Sequence, residues 1–420
     1  MRFIHAADIH LDSPLRGLAY YEGAPVEDIR GATRRALENL VNFAADPSEE
    51  IAFVLISGDL YDGDWRDYST GLFFAKQMSI LQEAGVPVFV VRGNHDAESQ
   101  ITKLLKLPPN VTVFSPSRPE TKVLDDIGVA IHGQSFASRG VATDLASGYP
   151  DAIPAMLNIG VLHTSASGYS GHDECAPCST TNLAAKGYDY WALGHIHTRQ
   201  EVCRPEDHSG LSPWVVFSGN TQGRHARETG PKGCTVVTAL DGEITAVEHR
   251  DLDVVRWYRC IVDAADAVTP EEILHRVQQE VEAKKAEAPE HLLALRVEIR
   301  GACAAHSALC SDSERWTNQI CADALSDQVW IEKVKMLTED PDSGEDAQQW
   351  NELLDSVSQV AQSTELQQRL LSGLAELESK LPLELRNGDD PISLSDPQVV
   401  IEALPEVKQL LLSRLLGKEA

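Results

Sequence analysis

Five short clusters in the 420-residue chain carry side chains that could bind divalent cations. They are Asp8-Ile9-His10, Gly58-Asp59, Gly93-Asn94-His95-Asp96, His163, and Gly194-His195-Ile196-His197. Together they mix carboxylate, imidazole and one carboxamide. That donor set suits Mn, Fe or Zn better than the all-oxygen cages preferred by Mg or Ca. Two neighbouring ions need roughly this many ligands, with one carboxylate bridging them. On extended backbone, residues i and i+2 point to the same side. Asp8 with His10, and His195 with His197, are therefore each expected to reach one site. The adjoining glycines would let the chain turn sharply and approach a metal. A single D-x-H or a lone strand-end histidine is commonly structural. Five such clusters in order, each at the end of an apolar run, are a stronger signal.

Those apolar runs are the elements that must position the clusters. RFIHAA (2–7) leads to Asp8, IAFVLIS (51–57) to Asp59 and PVFVV (87–91) to Asn94. LNIGVL (157–162) leads to His163, YDYWAL (188–193) to His195, and WVVFS (214–218) to Asn220. Such short runs bounded by glycine predict strands buried on both faces. Segments 29–45 and 69–84 between them predict helices. The alternation predicts a layered α/β domain over residues 1–252, with its ligands at the strand ends.

A second, smaller α+β domain is expected over 255–338. It would run as a strand at Trp257–Val262, a helix from Thr269-Pro270 to about Ala286, and a strand at 291–301. A helix at 312–325 and a strand at 328–337 would complete it. The acidic linker TEDPDSGED (338–346) follows. A third region, 347–420, reads as helices at 347–380 and 397–416. These would dock on their own chain or offer a surface to another protein.

The formal net charge of −28 argues against a broad electrostatic footprint for DNA, but not against a local basic groove. No run approaches the ~20 apolar residues of a membrane span. MRFIHAADIH lacks the apolar core of a signal peptide. The eight cysteines are thus expected as reduced thiols in a cytoplasmic protein. The Cys175-x-x-Cys178 pair has no second pair at zinc-site spacing and reads as loop packing.

The order D-x-H, GD, GNH(D), H, GHxH resembles the calcineurin-like metallophosphoesterase superfamily, over about residues 1–250. The resemblance implies a four-layer β-sandwich flanked by helices, followed by the small α+β cap and C-terminal helices. It implies two divalent ions, with manganese expected, bridged by Asp59. Asp8, His10, Asp59 and His197 would hold one ion; Asp59, Asn94, His163 and His195 would hold the other. Within the superfamily, five stretches are similar to SbcD-type DNA repair nucleases of the YhaO-like branch. They are AADIHLDSPL (6–15), GDLYDGDWRDYSTGLFF (58–74), ECAPCS (174–179), ALGHIHTR (192–199) and SGNTQGRHARETGPKG (218–233).

That likeness implies a DNA exonuclease or endonuclease subunit that hydrolyses phosphodiester bonds through a di-metal-activated water. The cap at 255–338 falls where such nucleases bind DNA. The terminal helices fall where they bind an SMC-like ABC ATPase, and a homodimer is a further implication. His95 is the candidate proton donor to the leaving 3′ oxygen, with Asp96 as the carboxylate that fixes its tautomer. An orienting role for His95 without proton transfer is the alternative. Arg199, Arg224 and Arg227, with Arg92 and Lys232, are candidates to grip backbone phosphates, or else to pair with Glu228.

One position departs from the pattern. Many of these nucleases carry a histidine three residues after the bridging Asp, where this chain has Asp62. A carboxylate cannot do what an imidazolium does beside a phosphate at neutral pH. Two other readings remain. One is a phosphomonoesterase or cyclic-nucleotide phosphodiesterase, and the other is a scaffold without activity. The long extension beyond GHxH favours a large substrate and a partner.

Overall fold

A computed structural model describes residues 1–13, 15, 23–62, 68–98, 106–166, 175–204, 213–324, 326–341 and 364–380. The chain divides into two compact units, Met1–Pro14 with Glu27–Arg256, and Leu15–Val26 with Trp257–Ala420.

The first unit contains twelve strands among its described residues. They are β1 (Arg2–Ala6), β2 (Ile51–Ser57), β3 (Val88–Val91), β4 (Val111–Val113), β5 (Glu120–Leu124) and β6 (Val129–Gly133), then β7 (Leu157–His163), β8 (Tyr190–Gly194), β9 (Gln200–Cys203), β10 (Trp214–Phe217), β11 (Gly233–Leu240) and β12 (Glu243–Asp251). One sheet has the order β12-β11-β1-β2-β3-β4, and the other β5-β6-β7-β8-β10-β9. The strands that deliver the candidate ligands, β1, β2 and β3, pair in parallel. So do β7 and β8 in the second sheet. Parallel pairing sends the C-terminal ends of each set to one edge of its own sheet.

Alternation along the strands builds the layers. Phe3, Phe53, Leu55, Phe89 and Val91 of the first sheet pack with Ile131, Ile159, Val161, Tyr190 and Val216 of the second. Phe3 and Phe53 stack with ring centroids 4.8 Å apart, an offset contact of the kind aromatic pairs favour. The opposite face of the first sheet, through Ile4, Val54, Ile56 and Val88, is covered by helices α1 (Val26–Ala45) and α2 (Tyr68–Glu83). Trp191, Leu193 and Phe217 on the outer face of the second sheet pack with Tyr149, Leu183 and Tyr188. The result is the expected four-layered sandwich.

The strands that end in polar clusters are legible in the sequence, and β11 is not. GCTVVTAL nevertheless lies beside β1, paired antiparallel to it. It carries no chemistry at its end, so nothing marked it.

One polar group is sealed between the sheets. His5 is fully buried and lies 3.0 Å from the Tyr190 hydroxyl and 3.1 Å from the Leu193 carbonyl. A carbonyl can only accept, so Nε2 carries the proton and Nδ1 accepts from Tyr190. Burial holds its pKa down from 6.5 to about 3. The unfolded chain therefore takes up a proton there that the folded chain refuses. Stability from this residue is present above pH 6.5 and declines as pH falls from 6.5 toward 3. Urea unfolding across that range is expected to show a shallower loss in His5→Gln than in the wild-type chain. An identical slope would disprove the assignment.

In the second unit, β13 (Val255–Asp263), β14 (Leu292–Ala302) and β15 (Val329–Glu339) form a sheet in that order. The helix Pro270–Glu287 is capped by Thr269, whose side chain accepts from Glu272 N–H. Its Ile273, Val277 and Val281 pack against Leu293, Leu295 and Val297 of β14. Helices His306–Ser311 and Ser313–Ala324 lie between β14 and β15 in sequence. The anticipated β-α-β-α-β order is present; the helix expected over 312–325 is Ser313–Ala324, and the short helix His306–Ser311 before it was not anticipated. Arg259 and Arg300 share Glu298, and Arg296 makes a paired contact with Glu332. Beyond this domain, Thr364–Lys380 is helical. The proposed helix at 397–416 lies outside the described residues. Among the described residues, no helix is long and apolar enough to cross a membrane.

Candidate metal centre

The clusters meet at the common strand edge of the sandwich, but not by strand alternation. β1 stops at Ala6 and β8 at Gly194, before the D-x-H and H-x-H pairs begin. Asp8, His10, Asp59 and His195 all adopt positive φ, at 50°, 44°, 52° and 100°. Positive φ is costly for a side-chain-bearing residue, on the order of 1–3 kcal/mol, and collects at functional sites. The turns are held by neighbouring loops. Asp8 N–H donates to Gly58 O and His10 N–H to Asp59 O, both at 3.0 Å. Gly58 sits at φ +96°, and a Cβ on Gly93 would collide with Asp59 Oδ1. The glycines beside the acids serve the close approach that the sequence suggested.

Three groups of three donors result among the described residues, two of them from residues expected to bind metal and a third of His10, Asp62 and His95. Donor atoms of Asp8, His10 and His197 lie within 4.8 Å of one another, and those of Asp59, His163 and His195 do the same. His163 Nε2 lies 2.9 Å from Asn94 Oδ1. Asp59 Oδ2 faces both groups, 3.3 Å from His163 Nε2 and 3.9 Å from His10 Nε2. Every one of these side chains except His197 is buried. The electrostatics suit cation ligands. Burial would raise the Asp59 carboxyl, but His163, His95 and His10 hold it well below its ordinary value. Burial would lower His163, yet Asp59 carries it up to about 9. Carboxylates and imidazoles that neutralise each other in this way suit two divalent ions, and binding those ions would release protons.

The residues around the ligands differ from expectation. Asp96 was expected to orient His95. Its carboxylate instead accepts from three backbone N–H groups, Leu60 (3.1 Å), Tyr61 (2.9 Å) and Gly93 (3.1 Å). It shapes the loops that carry Asp59 and Asn94, and burial then Asp59 push it up to about 6. The acid beside the His95 ring is Asp62, with Oδ1 3.6 Å from Nδ1. The same oxygen lies 2.5 Å from His10 Nδ1. Asp62 Oδ2 is buried with no hydrogen-bond partner among the described residues.

The candidate phosphate grips are also redistributed. Arg199 pairs with Glu201 at 2.8 Å. Arg224 is buried and pairs with Glu228, which lies 2.6 Å from His197 Nδ1. Lys232 is buried and donates to the backbone carbonyl of His197 (2.8 Å). Arg227 is exposed. In sequence Glu228 reads only as an ion-pair partner, and its contact with His197 is visible only in the fold. The CxxC thiols are buried and unbridged, with Cys178 3.4 Å from Thr164 Oγ1, as expected for loop packing.

The family profile for calcineurin-like phosphoesterases matches residues 1–199. The chain carries a calcineurin-like metallophosphoesterase domain. The profile for the middle domain of metallophosphoesterase YhaO matches residues 257–339, so a second family domain follows the metallophosphoesterase domain where the chain changes compact unit. The chain is 37% identical to metallophosphoesterase YhaO of Bacillus subtilis over 64% of each chain. It is 26% identical to the DNA double-strand break repair protein Mre11 of Methanopyrus kandleri, over 66% of this chain and 63% of that one. It is 27% identical to the Mre11 of Methanosarcina mazei, over 60% of this chain and 38% of that one. The match thus spans under two thirds of each relative's length. Calcineurin-like phosphoesterases use a dinuclear divalent metal site, and the donor groups described above supply candidate ligands for it.

Proposed function

We propose that this metallophosphoesterase is a manganese-dependent DNA nuclease that works with an SMC-like ATPase. The observation that carries the reading is Asp59, whose Oδ2 faces two carboxylate–imidazole groups at one strand edge. Two divalent ions held there would activate a water for in-line attack on phosphorus and offset charge on the phosphoryl oxygens. In the proposed assignment, Asp8, His10, Asp59 and His197 hold one ion, and Asp59, Asn94, His163 and His195 the other. His95, whose side chain is 26% exposed, is near enough to the surface to meet a substrate. It would give a proton to the leaving 3′ oxygen. The DNA assignment draws on the two relatives named as double-strand break repair proteins. The domain at 257–339 would carry DNA, and residues 347–420 would hold the ATPase.

One observation favours a smaller phosphoester instead. Arg199 and Arg224 are engaged by Glu201 and Glu228, so these two candidates offer a long phosphate backbone less free charge than the sequence suggests. The two readings separate in one assay. The chain is incubated with Mn²⁺ and linear duplex DNA, single-stranded DNA, a nucleoside monophosphate or a cyclic nucleotide. DNA cleavage lost in Asp59→Asn supports the nuclease. Robust hydrolysis of the small esters with intact DNA would replace it. ATPase binding that survives removal of 347–420 would refute the docking role of that region.

A further inference from the structure

Two histidines of the centre each turn one ring nitrogen inward and give the other to a carboxylate. His10 presents Nε2 to His197 and Asp59, and Nδ1 to Asp62 Oδ1 at 2.5 Å. His197 presents Nε2 to His10, and Nδ1 to Glu228 Oε1 at 2.6 Å. A carboxylate on one nitrogen fixes the tautomer, so that the other nitrogen offers a lone pair to a cation. Both carboxylates then converge on one guanidinium. Arg224 Nη2 lies 3.1 Å from Glu228 Oε1, and its Nη1 lies 3.8 Å from Asp62 Oδ1. Its backbone N–H donates to Glu228 Oε2 at 2.7 Å. Arg224, Glu228 and Asp62 are only 7%, 6% and 3% exposed. Glu228 is thus held between Arg224 and His197. It is further tied down by the Asn220 amide at 2.9 Å.

We infer that Arg224 is a positioning residue: it holds Asp62 and Glu228, and through them aims His10 and His197 at one of the two cation positions. The inference rests on the reading that His10 and His197 bind a divalent ion. It gives Asp62 a task that its sequence position did not suggest. The carboxylate that replaces a histidine in this chain becomes the hydrogen-bond acceptor for a ligand histidine. It also gives Arg224 a role other than gripping phosphate. A buried guanidinium that links two carboxylates has little freedom to follow a substrate.

Charge and positioning predict opposite signs, which makes the inference testable. A guanidinium close to a divalent ion repels it, so removing the charge alone should tighten metal binding. Loss of positioning should weaken it. Mn²⁺ binding to the full chain is measured by titration calorimetry, with thermal unfolding followed in parallel. Asp62→Asn and Glu228→Gln keep the shape of the site and carry the test even if an Arg224 variant fails to fold. Each is expected to weaken one of two binding steps by about tenfold or more and leave the other unchanged. Arg224→Met is expected to weaken the same step. Arg224→Lys keeps the charge but lacks the planar fork, and should weaken it too. Tighter binding in Arg224→Met, or wild-type affinity in both isosteric variants, would overturn the inference while leaving the metal centre intact. A wild-type chain that binds fewer than two Mn²⁺ ions would overturn both.

Discussion

Asp59→Asn is expected to lower metal-dependent phosphodiester hydrolysis by about 10³-fold or more. It should also reduce bound metal from two ions toward one. The substitution keeps size and shape. An asparagine oxygen can still accept the His95 N–H that Asp59 Oδ1 accepts at 3.1 Å, so the loop that carries Asn94 has no cause to move. What disappears is the charge on the atom that faces both donor groups, 3.3 Å from His163 and 3.9 Å from His10. A neutral amide is a poor bridge between two cations, and His163 loses the partner that raises its pKa. Metal content by mass spectrometry and hydrolysis of a nitrophenyl diester read the two effects separately. Two ions bound with undiminished turnover would mean that some other group bridges.

His95→Ala is expected to lower DNA cleavage by about 10²–10⁴-fold, the usual contribution of a placed proton donor. Metal content should stay at the wild-type level, because His95 is in neither proposed ligand set; a fall in bound metal would instead assign an ion to the group it forms with His10 and Asp62. Its ring lies edge-on to His10, with centroids 5.1 Å apart, and its Nδ1 is 3.6 Å from Asp62. The substrate decides between donation and simple orientation. A 3′ alkoxide needs a proton to leave, whereas a nitrophenolate does not. A donor therefore matters greatly for DNA and little for a nitrophenyl diester. If His95 only orients its neighbours, both substrates should lose rate by the same factor, and the assignment fails.

Much of this was legible in the chain itself. Apolar runs such as IAFVLIS and YDYWAL bury every residue or nearly so, which only strands inside a layered core require. Their polar ends, in order, announced a shared edge. The Thr269-Pro270 start of a helix was legible because capping is local, resolved within four residues. β11 was not legible as a partner of β1, since pairing across more than two hundred residues leaves no trace in neighbouring letters.

The residue types at the candidate metal centre were legible in sequence alone, because strand ends and glycine turns are short-range features. Their supports were decided only in three dimensions. Asp96, next to His95 in sequence, turns to three backbone amides. Asp62 reaches back across fifty-two residues to His10. Glu228 crosses thirty-one to His197. Arg224, which reads in sequence as a surface cation, is buried between the two acids. The physical reason is the same in each case. A buried charge needs an opposite charge or hydrogen-bond donors around it, and which partners it meets depends on how the loops cross above the sheet edge.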